Sequence, residues 1–145
     1  MQVILREILS SDVSQIAAIE RDCFALPWEE EAVSSAYARA DFCGVVAHIG
    51  EKTVGYLLGL TLFENAEVLR VAVVSAYRGQ KIGGALLDQF CNLVKARGAE
   101  RVFLEVRVSN EPALALYESR AFLKGRVREK YYENGESAIE MHKDL

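Results

Sequence analysis

A carboxylate stands in the middle of an apolar run, VFLEVRV at residues 102–108. Read as a strand, the run alternates by face. Val102, Leu104, Val106 and Val108 point one way, and Phe103, Glu105 and Arg107 point the other. A carboxylate at the centre of a core strand is costly unless it is paired, hydrated or open to a cleft. Glu105 is therefore either the ion-pair partner of its same-face neighbour Arg107 or a general base at the lip of a cleft. Twelve residues on, Tyr117 lies on a helix whose apolar face includes Ala113 and Leu116. From spacing alone it reads as a core tyrosine with its hydroxyl at the rim, which leaves a chemical role open. Asn110 caps that helix, which Pro112 begins, and its amide has sites left over for a ligand.

The second chemical feature is VLRVAVVSAYRGQKIGGALL, residues 68–87. It begins as a strand rich in β-branched residues and ends as an amphipathic helix. Between them lies SAYRGQKIGG, with glycines at 79, 83 and 84 and cations at Arg78 and Lys81. The first turn of a helix carries unpaired N–H groups and partial positive charge, and glycine lets an anion approach closely. The spacing matches neither GxxxxGK[ST] nor GxGxxG, so nucleotide hydrolysis and dinucleotide binding lose their main support. A strand, a short basic glycine loop and a helix remain, a place for a pyrophosphate. Three aromatic residues stay ambiguous on sequence. Trp28 in ALPWEEE is a packing anchor or a substrate contact, and Tyr131-Tyr132 are cross-strand packing or a wall.

The elements that must position these residues follow from periodicity. QVILREI (2–8) is a strand; SSDVSQIAAIERDCF is a helix with an N-cap at Asp12, Gln15 three residues on, and Ile16, Ile19 and Cys23 on one face. A second helix places Pro27 in its first turn and Glu29, Glu30 and Glu31 near its N-terminus. FCGVVAHI, TVGYLLGLTLF and AEVLRVAVV form an antiparallel meander. A helix from about Gly84 to Arg97 packs Leu86, Leu87, Phe90, Leu93 and Val94, and Gly98 stops it. After VFLEVRV and the short helix PALALYESR, two strands flank Asn134-Gly135, a hairpin signal. The order is β-α-α-β-β-β-α-β-α-β-β. The crossover around the 84–97 helix makes its two strands parallel. The fold class expected is α+β, a mixed, mostly antiparallel sheet flanked by helices.

At 145 residues the chain is expected to form one domain, 1–145, with no internal repeat or linker. A net charge of -4 argues against nucleic acid as the main direct ligand. Cys23, Cys43 and Cys91 are scattered, without a CxxC pair, and His48 and His142 lie far apart. Neither a metal site nor a disulfide framework is expected, and reduced thiols point to the cytoplasm. The N-terminal MQVILREI lacks the regions of a signal peptide, and no run approaches a membrane span.

With these motifs in view, the chain resembles the GNAT superfamily of acetyl-CoA-dependent N-acetyltransferases. Arg78-Gly79-Gln80-Lys81-Ile82-Gly83 occupies the family's R/Q-x-x-G-x-G/A pattern, with Lys81 where the first glycine is usual. FLEVRVSNEPALALYESRAF is similar to the signature of the RimI-type ribosomal-protein-alanine acetyltransferases. Arg120-Ala121 replaces the usual leucine-glycine there. CFALPWEEE resembles the family's F-x-x-PW segment, and KYYENGESAIEM its YY…DA…M ending, with Ser137 at the usual aspartate.

The resemblance implies a V-shaped cofactor cleft and acetyl-CoA as co-substrate, with no metal. Loop amides from Arg78 to Gly84 would hold the pyrophosphate, and the backbone of Val71, Ala72 and Val73 would pair with the pantetheine arm. Asn110 and Tyr117 would also border the cofactor. It implies Glu105 as base, acting directly or through water, and Tyr117 as the acid that protonates the leaving thiolate, with direct attack in a ternary complex. The acceptor implied is a protein or peptide N-terminus, in RimI-type enzymes the N-terminal alanine of a small-subunit ribosomal protein. Trp28, Tyr131 and Tyr132 become candidate walls of its groove. An N-terminal α-amine suits a modest base, because roughly a tenth of it is already neutral near pH 7, against well under a thousandth of a lysine. A small-molecule amine as acceptor, and a CoA-binding module without catalysis, are the rival readings.

Overall fold

A computed structural model describes residues 2–145. In chain order the elements are β1 (Ile4–Glu7), α1 (Val13–Cys23), α2 (Glu30–Tyr37), β2 (Phe42–Ile49), β3 (Lys52–Leu62) and β4 (Asn65–Val73), then α3 (Ile82–Ala96), β5 (Arg101–Arg107), α4 (Glu111–Ser119), β6 (Leu123–Arg128) and β7 (Ala138–Asp144). This is the order the periodicity predicts. The strands form one sheet in the order β1-β2-β3-β4-β5-β7-β6. Only β4 and β5 run parallel, as the right-handed crossover through α3 requires.

Helices cover both faces because the strands around the centre are apolar on both. Leu86, Leu87, Phe90 and Val94 of α3 are fully buried against Val45, Leu57, Val102 and Leu104. On the other face Ile16 and Ile19 of α1 and Val33 of α2 pack on Val46, Tyr56 and Leu58. Each such side chain contributes about 1.5–3 kcal/mol by leaving water.

The feature that matters for function lies at the sheet's centre. Leu58 pairs with Arg70 but Gly59 pairs with Val68, so Leu69 is an extra residue bulged out of β4. A bulge bends its strand and ends regular pairing. The parallel ladder between β4 and β5 accordingly covers only Asn65–Glu67 against Arg101–Phe103. Beyond it the strands part into the V-shaped gap expected. Gly59 opposite the bulge has no room for a side chain: a Cβ there would lie 2.5 Å from the Phe90 ring and 2.7 Å from the Glu67 carbonyl oxygen.

Several local expectations are corrected. Asp12 does not cap α1 through its side chain. Its carboxylate accepts from the Leu9 N–H at 2.7 Å and forks with Arg6 at 2.8 and 2.9 Å, while Gln15 accepts from the Thr53 N–H. Pro27 lies upstream of α2, which begins at Glu30, because the intervening chain is tied elsewhere: the Trp28 N–H donates to Glu20 Oε1 at 2.8 Å. The C-terminal hairpin is wide rather than tight. Asn134-Gly135 turn within a loop between Arg128 and Ala138, Gly135 taking φ 85°, so Tyr131 and Tyr132 stand in that loop and not on strands. The long helix starts two residues early, at Ile82, and ends at Ala96.

Candidate active site

The glycine loop leads directly into α3. Lys81 takes a left-handed conformation (φ 65°, ψ 18°) as the residue before the helix, and Gly79 has φ 81°. Ala85 is the first to bond back, its N–H donating to the Lys81 carbonyl at 3.2 Å. Among the described residues no backbone or side-chain acceptor takes the amides of Gly79, Gln80, Lys81, Ile82, Gly83 or Gly84. Six successive donors at a helix N-terminus fit a pyrophosphate. The two helical glycines differ in what they serve. A Cβ at Gly83 would press on Leu116 of α4 at 3.2 Å, whereas Gly84 lies beneath the Arg120 guanidinium, which a Cβ would displace. Arg120 is held there by Asp88 at 3.2 Å.

The preceding strand offers an open edge. Val74 donates to the Val54 carbonyl at 2.8 Å, and the antiparallel register pairs Tyr56 with Ala72. Because bonded positions alternate by two, Ala72 turns its polar groups to β3, while Val71 and Val73 turn theirs to the gap. Because the Val73 carbonyl accepts from Arg78 Nε at 3.0 Å, the open groups on this edge are those of Val71 and the Val73 N–H. The Arg78 side chain is not displayed toward the loop. Its Nε donates to the Val73 carbonyl at 3.0 Å and its Nη2 reaches the Cys23 sulfur at 3.5 Å, beside a cavity of about 180 Å³ lined also by Ile19, Asp22 and Ser75.

Glu105 stands on one face of β5, with Val102, Leu104 and Val106 buried on the opposite face. The pairing with Arg107 is overturned. Arg107 reaches Glu136 at 3.3 Å and lies 3.9 Å above the Tyr132 ring, so the β6–β7 loop has taken it. Glu105 Oε1 instead faces Arg128 Nε at 3.2 Å, and Arg128 Nη2 reaches Glu140 Oε2 at 3.4 Å. Glu105 Oε2 is shielded from solvent without a hydrogen-bond partner. Glu67 on β4 belongs to the same charged group: desolvation first, then the Glu105 charge, raises its carboxyl.

Tyr117 is buried on α4 against Phe122, their ring centroids 5.9 Å apart. Burial, with a smaller contribution from nearby Tyr132, pushes its phenol up to about 12. It therefore keeps its proton throughout the neutral range, the state a proton donor needs. Asn110 is the cap expected: its Oδ1 accepts from the Ala113 N–H at 3.2 Å.

The aromatic residues stand on opposite arms of the gap. Trp28 belongs to the arm of β4, since Arg70 packs between the Phe24 ring (4.1 Å) and the Trp28 ring (5.5 Å). Tyr131 and Tyr132 stack edge to face at 5.1 Å on the arm of β5. The Glu105 charge, followed by desolvation, raises the Tyr131 phenol; burial does so for Tyr132. Glu136 pins their loop by accepting from the Ser109 N–H at 3.0 Å.

Periodicity did not find Glu20, Arg70, Arg128 or Glu140. Glu20 carries one available signal, a carboxylate one turn after Ile16 on the apolar face of α1. It is fully buried, bonded to the Tyr56 hydroxyl and to Arg70 at 2.6 Å. Burial of that kind demands partners, and desolvation with the Glu20 bond drives the Tyr56 phenol far upward. Arg128 and Glu140 meet Glu105 only through strand register.

The site can be set beside known proteins. The pattern of the Acetyltransferase (GNAT) family matches residues 13–122. An N-acetyltransferase of Methanocaldococcus jannaschii is 34% identical over 142 residues, covering 97% of this chain and 91% of that one. The [ribosomal protein bS18]-alanine N-acetyltransferase of Escherichia coli K12 is 30% identical over 123 residues, 85% of this chain and 82% of its own. The crystal structure of the E. coli ribosomal-protein-S18-alanine N-acetyltransferase superposes with a TM-score of 0.92 at 28% identity, covering 99% and 94%. Arabidopsis thaliana NAA60 in complex with acetyl-CoA shares the fold, with a TM-score of 0.90 over 99% of both chains at 20% identity. No described helix is long and apolar enough to cross a membrane. The chain belongs to the GNAT family and is an acetyl-CoA-dependent N-acetyltransferase of RimI type.

Proposed function

We propose that this chain, a single acetyltransferase domain over residues 1–145, acetylates the α-amine of a protein N-terminus in the cytoplasm. The acceptor that fits best is the N-terminal alanine of a small-subunit ribosomal protein. The observation that carries this reading is the likeness to the E. coli ribosomal-protein-S18-alanine enzyme, which covers both arms of the gap and not the cofactor loop alone. Acetyl-CoA supplies the activated acetyl group. The amides of residues 79–84 hold its pyrophosphate, the open polar groups of Val71 and the Val73 N–H align its extended arm, and Asn110 and Tyr117 border its thioester end.

Glu105, directly or through a water molecule, takes a proton from the acceptor's ammonium group, and the neutral amine left behind attacks the thioester carbonyl. The C–N bond forms in a tetrahedral intermediate; as it collapses the C–S bond breaks, the nitrogen loses its extra proton, and Tyr117 gives its own proton to the departing thiolate. No cysteine is asked to carry the acetyl group; burial raises the Cys43 thiol to about 11. Trp28 on one side and Tyr131 and Tyr132 on the other flank the first residues of the acceptor, whose backbone hydrogen-bonds in extended form.

The test is acetylation of three acceptors: an alanine-initiated peptide, the same peptide N-blocked but containing lysine, and spermidine. The first should be turned over fastest. Trp28→Ala and Tyr132→Ala should lower kcat/KM for that peptide with unchanged acetyl-CoA affinity, and affect spermidine less. Strong turnover of spermidine with none of the alanine peptide would overturn the protein acceptor and leave the family assignment untouched.

A further inference from the structure

Glu105 and Glu140 sit directly opposite each other on β5 and β7. Like charges in that position repel, and Glu67 adds a third carboxylate from β4. One cation, Arg128 at the end of β6, reaches into the group: Nε to Glu105 Oε1 at 3.2 Å and Nη2 to Glu140 Oε2 at 3.4 Å. Of the other titratable groups around Glu105, the neutral Tyr131 phenol lies within bonding reach of its carboxylate, and Arg107 is engaged elsewhere. Arg107 is drawn to Glu136 and the Tyr132 face, and Tyr131 stacks on Tyr132 and under the Arg128 guanidinium at 5.6 Å. The contact between Arg128 Nε and Glu105 Oε1 is one of charge: neither Arg128 Nε nor Glu105 Oε2 has a hydrogen-bond partner among the described residues, and both atoms are shielded from solvent.

We propose that Arg128 is a positioning residue for the acetyl transfer: its guanidinium, in ion-pair reach of both Glu105 and Glu140, separates the two carboxylates and holds the Glu105 side chain in the orientation from which it receives the acceptor's proton. The inference rests on the reading of Glu105 as the base. Arg128 touches neither acceptor nor acetyl-CoA in this scheme, so its loss lowers kcat while the peptide KM and the acetyl-CoA affinity stay near wild type.

The experiment is a double-mutant cycle in the full chain, with Arg128→Gln, Glu105→Gln and both together, and Arg128→Lys beside them. The alanine-initiated peptide is the acceptor, and acetyl-CoA affinity is followed by calorimetry. Arg128→Gln is expected to slow kcat roughly ten- to a hundredfold, the scale of a misplaced reacting group. Arg128→Lys should recover part of the loss, and Arg128→Gln should add nothing once Glu105 is already Gln. A merely structural role predicts multiplicative losses in the cycle and a fall in acetyl-CoA affinity, and either would overturn the proposal. So would wild-type kcat in Arg128→Gln while Glu105→Gln is slow, which leaves the base in place. Wild-type kcat in Glu105→Gln itself removes the base, and the role of Arg128 with it.

Discussion

At the scale of single residues, four side chains, those of Phe63, Lys81, Ala121 and Lys130, occupy backbone conformations that glycine would take more easily. Lys81 and Ala121 have φ of 65° and 68°, and both stand where the resembling families carry glycine. A side chain in the left-handed region costs roughly 1–2 kcal/mol, partly offset in a glycine variant by the greater freedom of its unfolded chain. Lys81→Gly and Ala121→Gly are therefore each expected to stabilise the protein by up to about 1 kcal/mol, read as a higher midpoint in urea. A lower midpoint for either would mean that the replaced side chain contributes contacts worth more than the strain. The sequence motif identified both positions as departures; only the dihedral angles show that both carry strain. Glu105 was legible in the same way. Its isolation in VFLEVRV marks it, yet the identity of its cation was not readable, because Arg128 is 23 positions away and reaches it across β7.

At the scale of elements, the order of strands and helices was readable from periodicity because each element carries an apolar face. What periodicity could not supply was the bulge at Leu69, since one extra residue in a strand of mixed polarity leaves the pattern almost unchanged. Its footprint is on the partner strand, at Gly59, where neither Phe90 nor the Glu67 carbonyl leaves space for a methyl group. Gly59→Ala should cost about 1–3 kcal/mol, the range for overpacking a filled core. The cost should fall on the sheet's centre, with acetyl-CoA affinity measured by calorimetry weakened alongside stability. Wild-type stability in that variant would show that Phe90 can move aside. The Asn134-Gly135 turn was overread for a related reason: a strong local turn signal fixes where the chain reverses but not how far the strands extend toward it. The side chains of Glu136 and Ser137 are held within the loop, Glu136 by Ser109 and Arg107 and Ser137 by the Lys130 N–H.

At the scale of the whole molecule, acid stability should be governed in part by the fork that ties β1 to the turn before α1. Burial penalises the Asp12 charge, but the bonds from Arg6 and the Leu9 N–H outweigh it and hold the carboxyl below its usual range. A depressed carboxylate contributes stability that is fully present above its unfolded value, about 3.9, and is lost as pH falls through the lower folded value. The Tm of the native chain should therefore drop as pH falls below about 4, and Asp12→Asn should drop less over that range while starting lower. Equal slopes would assign the acid transition to other carboxylates. The parting of β4 from β5 has one more consequence, for solubility. Unpaired strand edges normally template aggregation. Here the two open edges, Val71–Val73 and the far half of β5, face each other inside the sheet, with helices packed on both its faces. A strand that arrives as part of another sheet brings neighbours that cannot enter the wedge. A lone extended chain has none. The molecule thus keeps backbone donors and acceptors ready for a slender ligand while withholding them from its own copies.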